Sequence, residues 1–134
     1  MHRCGSINCE GTASYEPVPC SLNEEKNIMP LNLDKYQRLA ATTAIYPEDK
    51  ALEYLTSGLT GEVGELMSKV AKWYRKDNAY PHTAVLDELG DILWFVSELA
   101  RVHNCELSVL AQRNLDKLAS RKERGALQGN GDNR

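Results

Sequence analysis

The stretch GLTGEVGELMSKVAKW, from Gly58 to Trp73, decides the fold class that the sequence predicts. Its apolar residues recur three or four positions apart, the spacing of one face of an α-helix. Glu62 nevertheless lies between Leu59 and Leu66 on this apolar stripe, and Glu65 follows within one turn. A carboxylate on a face that should contact a core needs a partner, because burying an unpaired charge is costly.

Helical spacing covers most of the chain, and no segment shows the alternation of a β-strand. We therefore predict an all-α fold, a bundle of four helices. The predicted helices cover residues 34–45, 50–75, 84–103 and 107–124. Thr83 is the expected N-cap of the third helix. The centre of that helix, ILWFV at residues 92–96, is apolar on every side, which predicts burial all round.

Three glycines fall within the second predicted helix, at Gly58, Gly61 and Gly64. Each costs up to about 1 kcal/mol relative to alanine in a helix interior. They therefore predict either a close approach of the backbone to a neighbour or a break near Gly58.

The two ends of the chain differ from its helical middle. Residues 1–32 contain three prolines and no sustained periodicity, so we predict a flexible extension, with Met29 as an alternative start. The tail from Gly125 onward is again glycine-rich and polar. The spacing of His2, Cys4, Cys9 and Cys20 lacks the CxxC pairs of a zinc site, so we interpret these residues as part of a loose tail.

The composition favours one globular domain, at residues 33–134. The 134 residues are 42% hydrophobic and 26% charged, with a formal net charge of −3. This charge predicts binding neither to nucleic acid nor to an acidic membrane. No apolar run approaches the roughly 20 residues of a membrane span, and the N-terminus lacks a secretory pattern. We therefore expect a cytoplasmic protein.

Two pairs of carboxylates lie on the two most apolar helices: Glu62 with Glu65, and Glu88 with Asp91. Residues three apart on a helix project within about 60° of each other, so each pair points one way. One such pair alone is typical of a solvated face. Two pairs on successive apolar helices instead predict an acidic cluster, if the helices pack side by side. Such a cluster suits Mg²⁺ and, through the ion, a polyphosphate.

Cationic side chains share these faces. Lys69 and Lys72 follow Glu65 by four and seven residues, within reach of phosphate oxygens beyond a metal. The fourth helix offers a polar and cationic edge suited to the same anion, formed by Asn114, Lys117, Arg121 and Arg124. The alternative is that these side chains are merely solvated. Similarly, the pattern favours core positions over base stacking for Trp73, Trp94 and Phe95.

The order of the acidic motifs resembles the MazG-like, all-α nucleoside triphosphate pyrophosphohydrolases. The resemblance rests on GEVGEL at residues 61–66, followed by DELGDILW at residues 87–94, with 22 residues between the Glu-x-x-Glu and Glu-x-x-Asp motifs. The segments YQRLAATTAIYP (36–47) and NLDKLASRKERGALQGNGDNR (114–134) are similar to the same group. The resemblance covers residues 33–134.

This resemblance implies hydrolysis of a nucleoside triphosphate to the monophosphate and pyrophosphate, with Mg²⁺ as cofactor and Mn²⁺ as a substitute. It implies a homo-oligomer, either a dimer or a tetramer, with sites partly built across subunits. The implied metal ligands and catalytic residues are Glu62, Glu65, Glu88 and Asp91. The implied substrate-binding residues are Lys72, Asn114, Lys117 and Arg121, with Gln37, Tyr46 and Phe95 as weaker candidates for contact with the base.

One departure concerns the number of metal ions. Many relatives carry an extra glutamate beside the first pair, where this chain has Gly61, Val63 and Gly64.

The leading interpretation is a house-cleaning enzyme for deoxynucleotides, with a pyrimidine or a non-canonical base. One alternative is a phosphoribosyl-ATP pyrophosphatase, which shares this fold and chemistry. The other is a non-catalytic helical bundle that binds a metal or nucleotide, for which binding without turnover is expected.

Overall fold

The computed structural model describes residues 30–127, and this part of the chain is helical, without a strand. Its helices are α1 (Leu33–Ala41), α2 (Ala51–Tyr74), α3 (His82–Val102) and α4 (Leu107–Glu123), and a 3₁₀ turn at Glu48–Lys50 leads into α2. The predicted all-α class is therefore confirmed. Nearly all of the predicted extension, including its cysteines and Met29, lies outside the described residues, as does the tail from residue 128.

The first helix ends at Ala41, four residues before the predicted end at Ile45. The hydroxyl of Thr42 donates to the carbonyl of Leu39 at 2.6 Å, and that of Thr43 donates three residues back at 2.7 Å. Such local bonds give the backbone an alternative to a further helical turn. The predicted range of 34–45 was therefore wrong at this end, because it carried the helix through Thr42 and Thr43.

The third helix begins at His82, two residues before its predicted start. The carbonyl of Pro81 accepts the N–H of Val85 at 2.9 Å and so closes the first turn. Pro81 occupies the N-cap position without a side-chain hydrogen bond, and Thr83 lies inside the helix. The prediction of Thr83 as N-cap was therefore wrong.

Three helices end through a residue with positive φ. These residues are Lys76 after α2, Asn104 after α3 and Gly125 after α4, with φ of 62°, 54° and 65°. At each end a backbone N–H reaches back five residues, as from Asp77 to the carbonyl of Lys72 at 3.1 Å. This arrangement satisfies carbonyls that a helix end leaves without a partner. Of these three residues, Gly125 and Asn104 are of types that commonly adopt positive φ, so the sequence alone predicts such a helix end at these two and not at Lys76.

The longest helices, α2 and α3, form an antiparallel hairpin that determines the rest of the fold. The pairing follows from its contacts, because Gly58 near the start of α2 meets Phe95, whereas Lys69 further along meets Glu88. Helices α1 and α4 pack on α3 and on each other, and α3 is the one described helix on which α2 packs. The helix α3 is thus the centre of the fold, and no other described helix covers α2.

Side chains of α1 fix the start of α4. The carboxylate of Asp34 accepts the N–H of Ser108 at 2.9 Å, and the amide oxygen of Gln37 accepts the N–H of Leu107 at 3.2 Å. Residue Glu106, the N-cap of α4, makes no side-chain capping bond of its own. Two of the N–H groups that a helix start leaves unpaired are therefore satisfied by α1, which holds the two helices together.

The glycines of α2 behave differently from one another. The helix runs through Gly58 without a break, and a Cβ atom there would overlap the ring of Phe95, so the prediction of close approach is confirmed at Gly58. At Gly61 and Gly64 a Cβ atom would meet nothing within 4 Å. For these two positions the prediction of close approach was wrong, since no neighbouring atom comes within contact distance of an added Cβ.

The centre of α3 is only partly covered. Phe95 is buried, whereas Leu93 is 40% exposed, and Leu86 and Leu89 on the same edge are also exposed. The expectation of burial all round at residues 92–96 was wrong for the described chain, because α1, α2 and α4 do not enclose this edge.

No helix among the described residues combines the length and apolar character needed to cross a membrane.

Candidate metal centre

The hairpin brings three of the four predicted carboxylates together. Glu62 and Glu65 lie on α2, Glu88 lies opposite them on α3, and each offers an oxygen within 4.8 Å of those of the other two. Their helical spacing explains this arrangement, since residues three apart share a face and the two faces meet in the α2–α3 interface. Asp91 follows Glu88 by three residues and is exposed, outside this tight group.

The three carboxylates differ in burial. Glu88 is only 7% exposed, and its Oε2 atom is buried with no hydrogen-bond partner. Glu62 is half-buried, and Glu65 is exposed. A buried carboxylate oxygen without a donor is unfavourable. Glu88 therefore lacks one interaction that a cation would supply.

The electrostatics of the cluster show the same deficit of positive charge. Burial raises the pKa of Glu62 above its ordinary value, and the negative charges of Asp91, Glu65 and Glu88 raise it further. Like charges held close together disfavour ionisation. The contribution of Asp91 to this shift places its charge near Glu62, although it lies outside the tight group.

One cation already lies in the cluster. The ammonium of Lys69 donates a hydrogen bond to Oε1 of Glu88 and forms an ion pair with it. This bond raises the pKa of Lys69 against the opposing effect of burial, with further contributions from the charges of Glu88, Glu65 and Asp87. The sequence placed Lys69 on the side of Glu65, but its direct partner is on the other helix.

The donor set fits a hard divalent cation. All of its ligands are carboxylate oxygens, which Mg²⁺ and Mn²⁺ accept and which softer metals do not prefer. Oxygens bound to one Mg²⁺ lie about 2.1 Å from the ion and hence about 3 to 4 Å from each other. The oxygens of the cluster lie within 4.8 Å of one another, so small side-chain movements would bring them to this separation. The buried Oε2 of Glu88 provides an acceptor that no protein donor uses.

Comparison with known proteins agrees with this geometry. Residues 50–125 match the family described as the MazG nucleotide pyrophosphohydrolase domain. The chain belongs to this MazG family. The matched residues contain α2, α3 and α4 with both carboxylate pairs, whereas Gln37 and Tyr46 precede them.

A phage protein is similar over most of the chain. The "Gene 37 protein" of Mycobacterium phage L5 is 46% identical over 114 residues, which cover 78% of this chain and all of the phage protein. No solved structure matches the chain closely enough to count as a relative.

An aromatic cluster borders the carboxylates of the MazG domain. Phe95 lies four residues after Asp91 and contacts the rings of Trp94 and Tyr54, at centroid distances of 5.0 and 6.3 Å. Tyr46, from the segment before α2, stacks on Tyr54 at 5.3 Å. Phe95 is buried and Tyr54 is exposed, so the cluster joins the core to the surface beside the site.

A buried carboxylate that sequence reasoning missed holds Tyr46. Glu98 is fully buried and accepts hydrogen bonds from the hydroxyl of Tyr46 at 2.6 Å and from Arg101 at 2.8 Å. Arg101 also donates to the Tyr46 hydroxyl at 2.7 Å. Glu98 follows Asp91 by seven residues, so extending the helical spacing of the acidic face by two turns would have revealed it.

The remaining predicted substrate residues are spread over the MazG domain. Lys72 is exposed on α2, Asn114 and Lys117 are exposed on α4, and Arg121 is buried near the end of α4. Helices α2 and α4 make no contact among the described residues, so these side chains do not meet around the carboxylates within this chain.

Gln37 lies at the junction of α1, α3 and α4 rather than beside the carboxylates. Its amide nitrogen donates to the carbonyls of Ser97 at 3.2 Å and Cys105 at 3.1 Å. Its amide oxygen accepts the N–H of Leu107. The structure therefore gives this side chain bonds to the backbone on three sides.

Proposed function

We propose that this MazG protein hydrolyses nucleoside triphosphates and deoxynucleoside triphosphates to the monophosphate and pyrophosphate. A pyrimidine or non-canonical deoxynucleotide is the expected substrate, in a house-cleaning role. The observation that carries the proposal is the convergence of Glu62, Glu65 and Glu88 on one point of the α2–α3 interface. Family membership supports the reaction class.

We further propose that these three glutamates, with Asp91, hold Mg²⁺. When bound, the ion would neutralise charge on the polyphosphate and polarise a water molecule for attack. Glu88 is suited to be the least mobile ligand, because it is the most buried of the four. Exposed Asp91 and Glu65 lie at the mouth of the cluster, where a substrate would enter.

In this proposal the reaction is attack of water on the α-phosphorus. A bond forms between the water oxygen and that phosphorus, and the bond from the same phosphorus to the bridging oxygen of the β-phosphate breaks. The products are the monophosphate and pyrophosphate. Glu62 is half-buried beside the other carboxylates, a position from which it could orient the water and accept its proton.

The cationic side chains then have separate tasks. Lys72, exposed on α2 beyond the carboxylates, is positioned to neutralise the departing pyrophosphate. Asn114, Lys117 and Arg121 lie on α4, which α2 does not contact in the described chain. We propose that α4 of a second copy supplies the exposed Asn114 and Lys117 in a homo-oligomer, whose interface would cover the exposed edge of α3, whereas Arg121 is buried within its own chain. Tyr46 and Phe95 would border the base.

A product assay tests the reaction. Purified protein with Mg²⁺ is given a panel of ribonucleoside and deoxynucleoside triphosphates and phosphoribosyl-ATP, and phosphorus NMR identifies what is released. Monophosphate with pyrophosphate supports the proposal and ranks the bases. Diphosphate with orthophosphate would refute the proposed cleavage site. Nucleotide binding without turnover would favour a non-catalytic bundle. Turnover of phosphoribosyl-ATP alone would favour the alternative of a phosphoribosyl-ATP pyrophosphatase.

Substitutions test the site. We expect Glu88→Gln to lower kcat/KM at least about 100-fold, since even residues that only support a metal ligand contribute about 10- to 100-fold. Glu53→Gln is the matched control, because Glu53 lies on the same α2 helix in an exposed ion pair with Lys50. Equal activity of the two variants would contradict the assignment of Glu88.

A further inference from the structure

Lys69 is the one described cation that the structure records bonded to a member of the Glu62, Glu65 and Glu88 cluster. Its side chain is 28% exposed and that of Glu88 is 10% exposed, so the pair is largely shielded from water. An ion pair shielded in this way is screened less than one on the surface. The pair is therefore a built feature of the α2–α3 interface.

The charges of the cluster do not balance with Lys69 alone. Three carboxylates face one ammonium, and Asp91 adds a further negative charge nearby. Oε1 of Glu88 has its donor in Lys69, whereas Oε2 of the same carboxylate is buried without one. The ammonium thus satisfies half of Glu88 and leaves a place for a second positive charge.

A divalent ion and the ammonium would compete at Glu88. Both would lie within a few ångströms of the same carboxylate, where two positive charges repel each other strongly. The lysine ammonium ends a flexible four-carbon stem and can leave without moving the helix. The metal, in contrast, needs the carboxylates of both helices.

We propose that Lys69 is a built-in counter-ion that neutralises Glu88 through Oε1 in the metal-free protein, and that repulsion by a divalent ion bound at the adjacent Oε2 displaces it. This inference rests on the metal site of the proposed function. It assigns Lys69 two states: bonded to Glu88 without metal, and released toward the mouth of the site with metal. In the released state its charge is available to a polyphosphate.

Metal titration without nucleotide tests the exchange. Binding of Mn²⁺ to the metal-free full-length protein is measured by calorimetry and by electron paramagnetic resonance. In Lys69→Met the ion no longer has to displace an ammonium, so we expect a Kd lower by about fivefold or more. Without metal, the same variant melts at a lower temperature than wild type, because Glu88 has lost its partner.

Two variants separate displacement from a general change in charge. Lys69→Arg keeps the positive charge and should bind Mn²⁺ no more tightly than wild type. Lys50→Met removes the same charge from an exposed ion pair with Glu53, at 3.8 Å. For Lys50→Met we expect a Kd within about twofold of wild type, since exposed charges are screened.

Two results would overturn the inference. One is an unchanged or higher Kd in Lys69→Met. The other is an equal gain in affinity in Lys50→Met, which would mean that net charge alone sets metal binding. The proposed function is tested separately, by the product assay. If the protein releases pyrophosphate but Lys69→Met binds Mn²⁺ no more tightly than wild type, the displacement of Lys69 is refuted and the proposed reaction still stands.

Discussion

Replacing Gly58 by alanine tests how closely α2 and α3 pack. A Cβ atom at Gly58 would overlap two ring carbons of Phe95. The ring has little room to yield, because Phe95 is buried and Trp94 and Tyr54 border it. One of the two helices must therefore move to accept the added methyl group.

Two opposing terms set the magnitude. Alanine gains up to about 1 kcal/mol over glycine in a helix interior, whereas overpacking a core costs about 1 to 3 kcal/mol. The overlap at Phe95 involves a ring in contact with other rings, so we expect the upper part of that range. Gly58→Ala should then lose about 1 to 2 kcal/mol of unfolding free energy, or roughly 4 to 16 °C in Tm.

Gly64→Ala is the matched control on the same helix. A Cβ atom there meets nothing within 4 Å, so only the helix-propensity gain remains, up to about 1 kcal/mol of added stability. Urea unfolding followed by circular dichroism gives both values in one assay. The two variants should differ by about 2 kcal/mol, which exceeds the usual error of such extrapolations.

The same substitution should reach the metal centre. Gly58 lies one turn before Glu62, and Phe95 lies one turn after Asp91, so forcing the helices apart at the ring also separates the two carboxylate pairs. We expect weaker Mn²⁺ binding in Gly58→Ala and none of this effect in a variant that only loosens the chain ends. If Gly58→Ala proves as stable as wild type, the packing of α2 on α3 described here is wrong. A strongly destabilised Gly64→Ala would instead show that another surface covers that side of α2.

Two further predictions concern interactions away from the carboxylate cluster. Glu98→Gln keeps an acceptor for Tyr46 but removes the charge that faces Arg101. We therefore expect the free energy of unfolding in urea to fall by about 1 to 3 kcal/mol. An unchanged midpoint would mean that this hydrogen-bond network contributes nothing to stability. Asp34 has a pKa lowered by its hydrogen bonds with Ser108, so its stabilising contribution is present above the ordinary value of 3.8 and is lost as the pH falls through the lower, folded-state pKa. The stability difference between wild type and Asp34→Ala should therefore be constant near neutral pH and shrink in acid. Asp34→Asn keeps a hydrogen-bond acceptor without a charge, so its stability should differ less from that of wild type at neutral pH. A difference between wild type and Asp34→Ala that does not change with pH would contradict this prediction.

The sequence predicts the helices of this protein better than their ends. Helical periodicity follows from burial of one face, so α2 and α3 are evident from the spacing of their apolar residues. Their ends depend on individual hydrogen bonds. The cap of α4 comes from Asp34, which is 74 residues away from Ser108 along the chain, and no local pattern encodes such a partner.

The carboxylate site shows the same division. Convergence of Glu62, Glu65 and Glu88 could be predicted, because it needs only two helix faces and side-by-side packing. The partner of Lys69 could not, because Glu65 and Glu88 are both plausible until the register between α2 and α3 is known. In the structure, the ammonium of Lys69 bonds to Glu88. Substrate contacts from α4 depend on a surface beyond the described chain and stay a prediction.

Two acidic groups on α3 look alike in sequence but differ in what they can bind. Glu88 and Glu98 are both buried, ten residues apart on one helical face, and each pairs with a cation. Glu98 is satisfied by Arg101 three residues away and by Tyr46, so an added ion would find no unused place. Glu88 has a single flexible lysine as its partner and one buried oxygen without any donor. The unfilled acceptor, rather than the presence of a buried carboxylate, is therefore what favours Glu88 over Glu98 as a ligand in the proposed metal site.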